Sequence, residues 1–191
     1  MIRLSSADRT AIEAHGAREY PLECCGVLLG DVIDGVKVVA EVRALDNSFE
    51  PSADFERSIE PARGSETGGG PLESSVDVTI QQPGTRNQQP ATGYQLSATP
   101  PGQERRFMIS PQTMFALMQE ERRTKRKVVG FYHSHPDHPA RPSEYDRAWA
   151  MPWYSYIIVS VRGGQPAEMT NWILADDGSR FDPEEIQTDI S

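Results

Sequence analysis

The residues best able to do chemistry stand close together: His133-Ser134-His135, then, after a proline-rich loop, Ser143 and Asp146. The run 128–135 reads as a strand, and side chains two apart on a strand face the same side, roughly 6.6 Å along the chain. Two imidazoles at a strand end can therefore reach one ion. Ser143 opens a short helix as its N-cap, which puts Asp146 in the first turn, beyond a loop stiffened by Pro136, Pro139 and Pro142. Two imidazole nitrogens and one carboxylate oxygen leave the fourth tetrahedral position of Zn²⁺ open to water, as in catalytic rather than structural sites. The same residues also read more plainly, as a polar histidine pair at a strand end with Asp146 capping its own helix.

The remaining reactive side chains read as structural. Cys24 and Cys25 precede an apolar strand as buried, inert thiols. Ser134 faces away from the two histidines, His138 sits exposed in the loop, and His15 on the first helix is incidental. Trp149, Trp153 and Tyr154 are expected in the core, with Trp149 near enough to the short helix to line a groove.

Several elements must position this constellation. A helix is expected from Ser5 to about Tyr20, capped by Ser5 or Ser6 and ended by Pro21. Residues 24–30 read as a buried strand, and Asp34-Gly35 as the turn into a second strand, 36–45. Residues 107–109 read as a brief strand. Ser110-Pro111 then caps a helix to about Lys125, whose Met114, Leu117 and Met118 form a core-filling face. Residues 156–161 read as a buried strand, Gly163-Gly164 as a turn and 168–175 as another strand, before a polar tail from about Asp176. Strands and helices mix without regular βαβ alternation. The fold class expected is α+β: a mixed, largely antiparallel sheet flanked by helices.

Between these halves lies a stretch of different character. Of the 49 positions in 57–105, 30 are Gly, Pro, Ser, Thr, Asn or Gln, too polar to offset the entropy of ordering, so a long flexible insert is expected. Within it Val76-Asp77-Val78-Thr79-Ile80 alternates like a short strand. The organisation expected is one domain over 1–180, interrupted by 57–105, with a C-terminal tail at 181–191.

Composition excludes other classes. With 19 Lys and Arg against 28 Asp and Glu, the net charge is −9, which argues against a nucleic-acid binder. The one basic cluster, Arg122 to Lys127, sits at a helix end where cations complement the dipole. Mean hydropathy is −0.55, and no apolar run approaches the 18 or so residues of a membrane span. The N-terminus turns polar at once, and the two cysteines are adjacent, so neither a leader nor a disulfide framework is expected. A cytoplasmic location fits.

The pattern His-x-His, seven residues, Ser, two residues, Asp resembles the motif of the JAMM (MPN+, JAB1/MPN/Mov34) zinc metallopeptidases, in their small prokaryotic single-domain form. Pro21-Leu22-Glu23-Cys24-Cys25-Gly26 is similar to the upstream segment that carries the family's glutamate. The resemblance covers residues 1–55 and 106–175 and implies a cytidine-deaminase-like mixed sheet. It implies one zinc per chain held by His133, His135 and Asp146. It also implies Glu23 as the general base for the zinc-bound water and Ser143 as the oxyanion donor. The substrate it implies is a ubiquitin-like sulfur-carrier protein ending in Gly-Gly, cut at the amide or isopeptide bond after that tail. Such a tail could add a strand to an exposed sheet edge. A catalytically inactive scaffold of the same fold and a phage-tail or cell-wall peptidase are the alternatives, and a homodimer is left open.

Overall fold

The computed structural model describes residues 1–49 and 106–189. The insert expected at 57–105, its alternating run at 76–80 and residues 190–191 lie outside the described residues. In chain order the elements are β1 (Ile2–Ser5), α1 (Ser6–Glu19), β2 (Cys25–Ile33), β3 (Val36–Leu45) and α2 (Pro111–Thr124). There follow β4 (Lys127–Pro136), α3 (Glu144–Trp149), β5 (Ser155–Arg162), β6 (Gln165–Leu174), β7 (Phe181–Glu184) and β8 (Ile186–Asp189).

The strands make one mixed sheet in the order β7-β6-β5-β4-β2-β3-β1-β8. Antiparallel pairs dominate, while β4 and β5, β1 and β3, and β1 and β8 run parallel. The α+β class and mixed sheet therefore match expectation. The segment 181–189 was expected as a tail; instead its first half pairs with β6 and its second half with β1. Only Glu185 separates the two pairings. Strands β1, β7 and β8 are not legible in the sequence because each is only four residues long, with too few apolar residues to set a period.

Each face of the sheet has its own apolar cluster. One face buries Ile2, Leu4, Leu28, Val129, Tyr132, Ile157 and Val159 together with Ile12 of α1. Helix α1 starts where expected: the Ser5 hydroxyl accepts from Asp8 N at 3.0 Å. Gly26 is required here, because a Cβ would lie 2.2 Å from the Tyr132 ring that crosses it. Tyr132 so placed reaches the buried His15, Nδ1 to phenol oxygen 2.8 Å. His15 is thus a core partner of Tyr132, not incidental.

The opposite face packs Val27, Leu29, Val128, Phe131 and Tyr156 against Leu117 of α2. Here α2 departs from expectation. Leu117 is buried and Met114 half-buried, but Met118 is 53 % exposed. Residues 107–109 are not a strand; they run extended beside 47–49, with Ser48 N donating to Met108 O at 2.9 Å. Trp149 and Trp153 are half-exposed, not core residues. Cys24 and Cys25 are buried free thiols, both pushed up to about 12 by burial, as expected of inert thiols. Among the described residues no helix is long and apolar enough to cross a membrane.

Candidate metal centre

The two histidines come from the end of β4, held between β2 (Cys25 opposite His133) and β5 (His133 opposite Ile158, His135 opposite Ser160). Both point to the face opposite Tyr132 and Ser134, as alternation demands. Ser134 on the other side is buried and accepts from Cys24 N at 2.9 Å, which ties β4 to the residue after Glu23. Asp146 arrives from α3. His133 Nε2 lies 3.0 Å from His135 Nε2 and 3.2 Å from Asp146 Oδ1, and His135 Nε2 lies 3.7 Å from Asp146 Oδ2. The three side chains are 10 % exposed or less.

These residues fit a metal ion. Tetrahedral zinc with nitrogen and oxygen ligands at about 2.0–2.1 Å spaces its donors about 3.3–3.4 Å apart, close to the separations found. His135 Nδ1 sits 2.9 Å from the Pro139 carbonyl, which can only accept. The Nδ1 therefore carries the hydrogen, and a lone pair on Nε2 faces His133 and Asp146, the usual outer support of a metal-bound imidazole. Burial pushes the His133 ring down, towards its neutral form. Burial alone would push Asp146 up, but His133, His135 and Ser143 outweigh it and hold the carboxyl below its usual range. Two imidazole nitrogens and a carboxylate oxygen that converge this closely are compatible with a metal ion held between them.

Ser143 serves the carboxylate directly. Its amide and hydroxyl each donate to Asp146 Oδ2 at 2.6 Å, while the hydroxyl accepts from Asp146 N at 3.1 Å. The capping box expected from the sequence is therefore also the device that aims Asp146.

Glu23 comes from a distant part of the chain. The β2–β4 pairing opens at Cys25 opposite His133, so Glu23, two residues before Cys25, enters β2 from the end of the sheet where the histidines stand. Glu23 is 5 % exposed. Burial raises its carboxyl well above the usual range, the Asp146 charge adds to the rise, and the Arg106 charge opposes it. His133, His135 and Asp146 thus converge, Ser143 holds Asp146, and Glu23 lies near enough for the Asp146 charge to act on it.

Two supporting residues were not anticipated. The Asn47 amide donates to Glu23 O at 3.1 Å and Arg106 O at 3.0 Å, and its oxygen accepts from Phe49 N at 3.0 Å and Met108 N at 3.1 Å. Phe107, so anchored, stacks on His133 with centroids 4.4 Å apart. His133 Nδ1, by contrast with its neighbour's, is buried with no hydrogen-bond partner among the described residues. The only sequence signal for Phe107 was its place as the first apolar residue after the polar insert; nothing marked Asn47. His138 is exposed, as expected.

A parallel β-pair ending in two histidines, with a carboxylate delivered by the next helix, is an arrangement that could hold a metal ion within a domain of the JAB/MPN class. The chain belongs to the prokaryotic homologues of the JAB domain, whose family model matches residues 5–175. It is similar to a solution structure from Salinibacter ruber at 31 % identity and TM-score 0.57, covering 99 % of this chain and 92 % of that one. A second solution structure, from Desulfitobacterium hafniense, shares the fold at 23 % identity and TM-score 0.62, covering 100 % and 94 %. No functionally curated protein matches the chain. The family includes hydrolases, and the His133, His135 and Asp146 cluster is compatible with metal binding.

Proposed function

We propose that the protein is a zinc-dependent metallopeptidase. It hydrolyses the amide or isopeptide bond after the C-terminal Gly-Gly of a ubiquitin-like sulfur-carrier protein, in the cytoplasm. The observation that carries this reading is the convergence of three buried donor atoms within 4.8 Å of one another, with the buried Glu23 carboxyl close enough for the Asp146 charge to act on it.

His133, His135 and Asp146 would hold the zinc, one ion per chain. Zinc bound there supplies a Lewis acid and lowers the pKa of water from 15.7 to about 7. Glu23 takes the proton of the attacking water as the oxygen–carbon bond forms, and passes it to the nitrogen as the carbon–nitrogen bond breaks. A carboxyl whose proton affinity is raised by burial suits that second delivery. Ser143 keeps Asp146 in place and, once substrate enters, turns its hydroxyl to the developing oxyanion. A Gly-Gly tail threads a narrow approach without side-chain clashes, and this choice of carrier follows the family resemblance.

The test is metal content and cleavage together. Purified protein is expected to contain about one zinc per chain by elemental mass spectrometry, and to release a Gly-Gly end from carrier fusions, read by intact mass. Zinc retained with every fusion uncut would refute the substrate; a chain that takes up no metal would refute the enzyme.

A further inference from the structure

The metal centre opens onto a cavity that a Gly-Gly tail leaves unfilled. Its volume is about 400 Å³, and among the described residues its wall is aliphatic or aromatic apart from His133 and Asp146. Met114 comes from α2, Phe131 from β4, Trp149 from α3, and Tyr156 and Ile158 from β5. A cavity of this size, apolar with a few convergent polar groups, is what small-molecule and side-chain recognition uses. Sharing His133 and Asp146 with the donor cluster, it lies beside the bond to be cut.

We propose that this cavity is a specificity pocket that receives one bulky aliphatic or aromatic side chain from the leaving-amine side of the substrate, the residue directly after the scissile bond. The assignment rests on the peptidase reading above. In that reading the two residues before the bond are glycines. The third lies about 10 Å upstream in an extended chain, too far to reach a cavity walled by the metal ligands. Only the residue on the amine side is both near enough and free to carry a side chain. The leaving group is then an amino acid or peptide beginning with Leu, Ile, Met, Phe or a residue like them.

Two readouts on the full-length protein test this. Carrier fusions with Ala, Ser, Leu or Phe directly after Gly-Gly are expected to differ in kcat/KM, with Leu and Phe about 10- to 100-fold above Ala. Separately, ¹³C-methyl-methionine spectra are recorded with phenylalaninamide and with alaninamide, on zinc-loaded and metal-free protein. Phenylalaninamide is expected to shift the Met114 and Met151 methyls at millimolar concentration and alaninamide to leave them in place. Met114→Trp, which fills the cavity, is expected to remove the response of Met151. Equal responses to both amides, no response to either, or equal kcat/KM for Ala and Phe fusions would overturn the assignment. So would nuclear Overhauser contacts from these methyls to residues 50–105 in the ligand-free protein, which would hand the cavity to the chain itself. Shifts as expected with zinc retained and no fusion cleaved would sink the Gly-Gly carrier as substrate and leave the pocket standing.

Discussion

The two faces of the sheet use the same strands for opposite ends. Tyr132 and His133 are neighbours on β4, yet Tyr132 enters a filled core under α1 whereas His133 enters a cluster that borders a cavity. On the filled face the one buried histidine, His15, finds a phenol partner at 2.8 Å, so its polarity is satisfied within the fold. On the other face two imidazoles and a carboxylate converge, and His133 Nδ1 has no partner among the described residues. Of the two buried side-chain atoms without a partner among the described residues, His133 Nδ1 and Asn171 Oδ1, Asn171 stands opposite Ile157 of the filled face. The mark of function is therefore the convergence of three titratable groups at a cavity and not a lone unmet atom. The contrast separates the faces more sharply than burial does, since both histidines are almost fully buried.

The strongest way to break the contrast is His133→Ala. It is expected to abolish zinc uptake and lower hydrolysis by about 10³-fold or more, read by elemental analysis and turnover, while the fold persists by circular dichroism. Glu23→Gln comes next, with kcat lower by about 10²–10⁴-fold and zinc retained. Its stability effect has the opposite sign. A carboxyl raised by burial contributes stability below its unfolded pKa near 4.5 and loses that contribution as pH rises through the folded value. Metal-free Glu23→Gln is therefore expected to melt above wild type at pH 7 and no longer above it near pH 4. A lower Tm at pH 7 would contradict the burial argument.

On the filled face, Ile157→Ala is expected to cost about 2–5 kcal/mol in urea unfolding and to leave zinc affinity unchanged. Asn47→Ala sharpens the comparison at the seam between them. It leaves the Phe49 and Met108 amides without their acceptor, a loss of about 1–3 kcal/mol, and frees Phe107 from His133, so zinc affinity falls as well. Asn47→Asp, which keeps both acceptors, is expected to recover part of each loss. The smallest effect is on His15. Burial lowers its pKa, so its neutral form supports the fold fully above about 6.5, and that support is lost as pH falls below it. His15→Gln is expected to flatten the drop in urea midpoint between pH 7.5 and 5.5.

What could be read from the sequence follows how local each arrangement is. His133 and His135 are two apart and Ser143 and Asp146 three apart, so strand alternation and the capping box bring each pair together without tertiary structure. The helices announced themselves through Ser5 and Ser110, and the hairpin through Asp34-Gly35. Glu23 and His133 are separated by more than a hundred residues, and the β2–β4 pairing that opens at Cys25 brings their segments together; residue types alone carry no record of that pairing, and family resemblance pointed to Glu23. Asn47 and Phe107 matter because 47–49 crosses 106–108, a crossing set by where an uninterpretably polar stretch leaves and rejoins the core. Met118 was misread because helical spacing fixes which residues share a side, not how far the underlying sheet extends beneath it.

The stretch 181–189 has a consequence for association. Both margins of the sheet, β7 and β8, belong to it, and each is only four residues long, with Pro183 in the first. Among the described residues the sheet so finished offers incoming chains no long edge strand, which guards against edge-to-edge aggregation. Self-association would fall to side-chain surfaces such as exposed Phe115 and Met118 on α2.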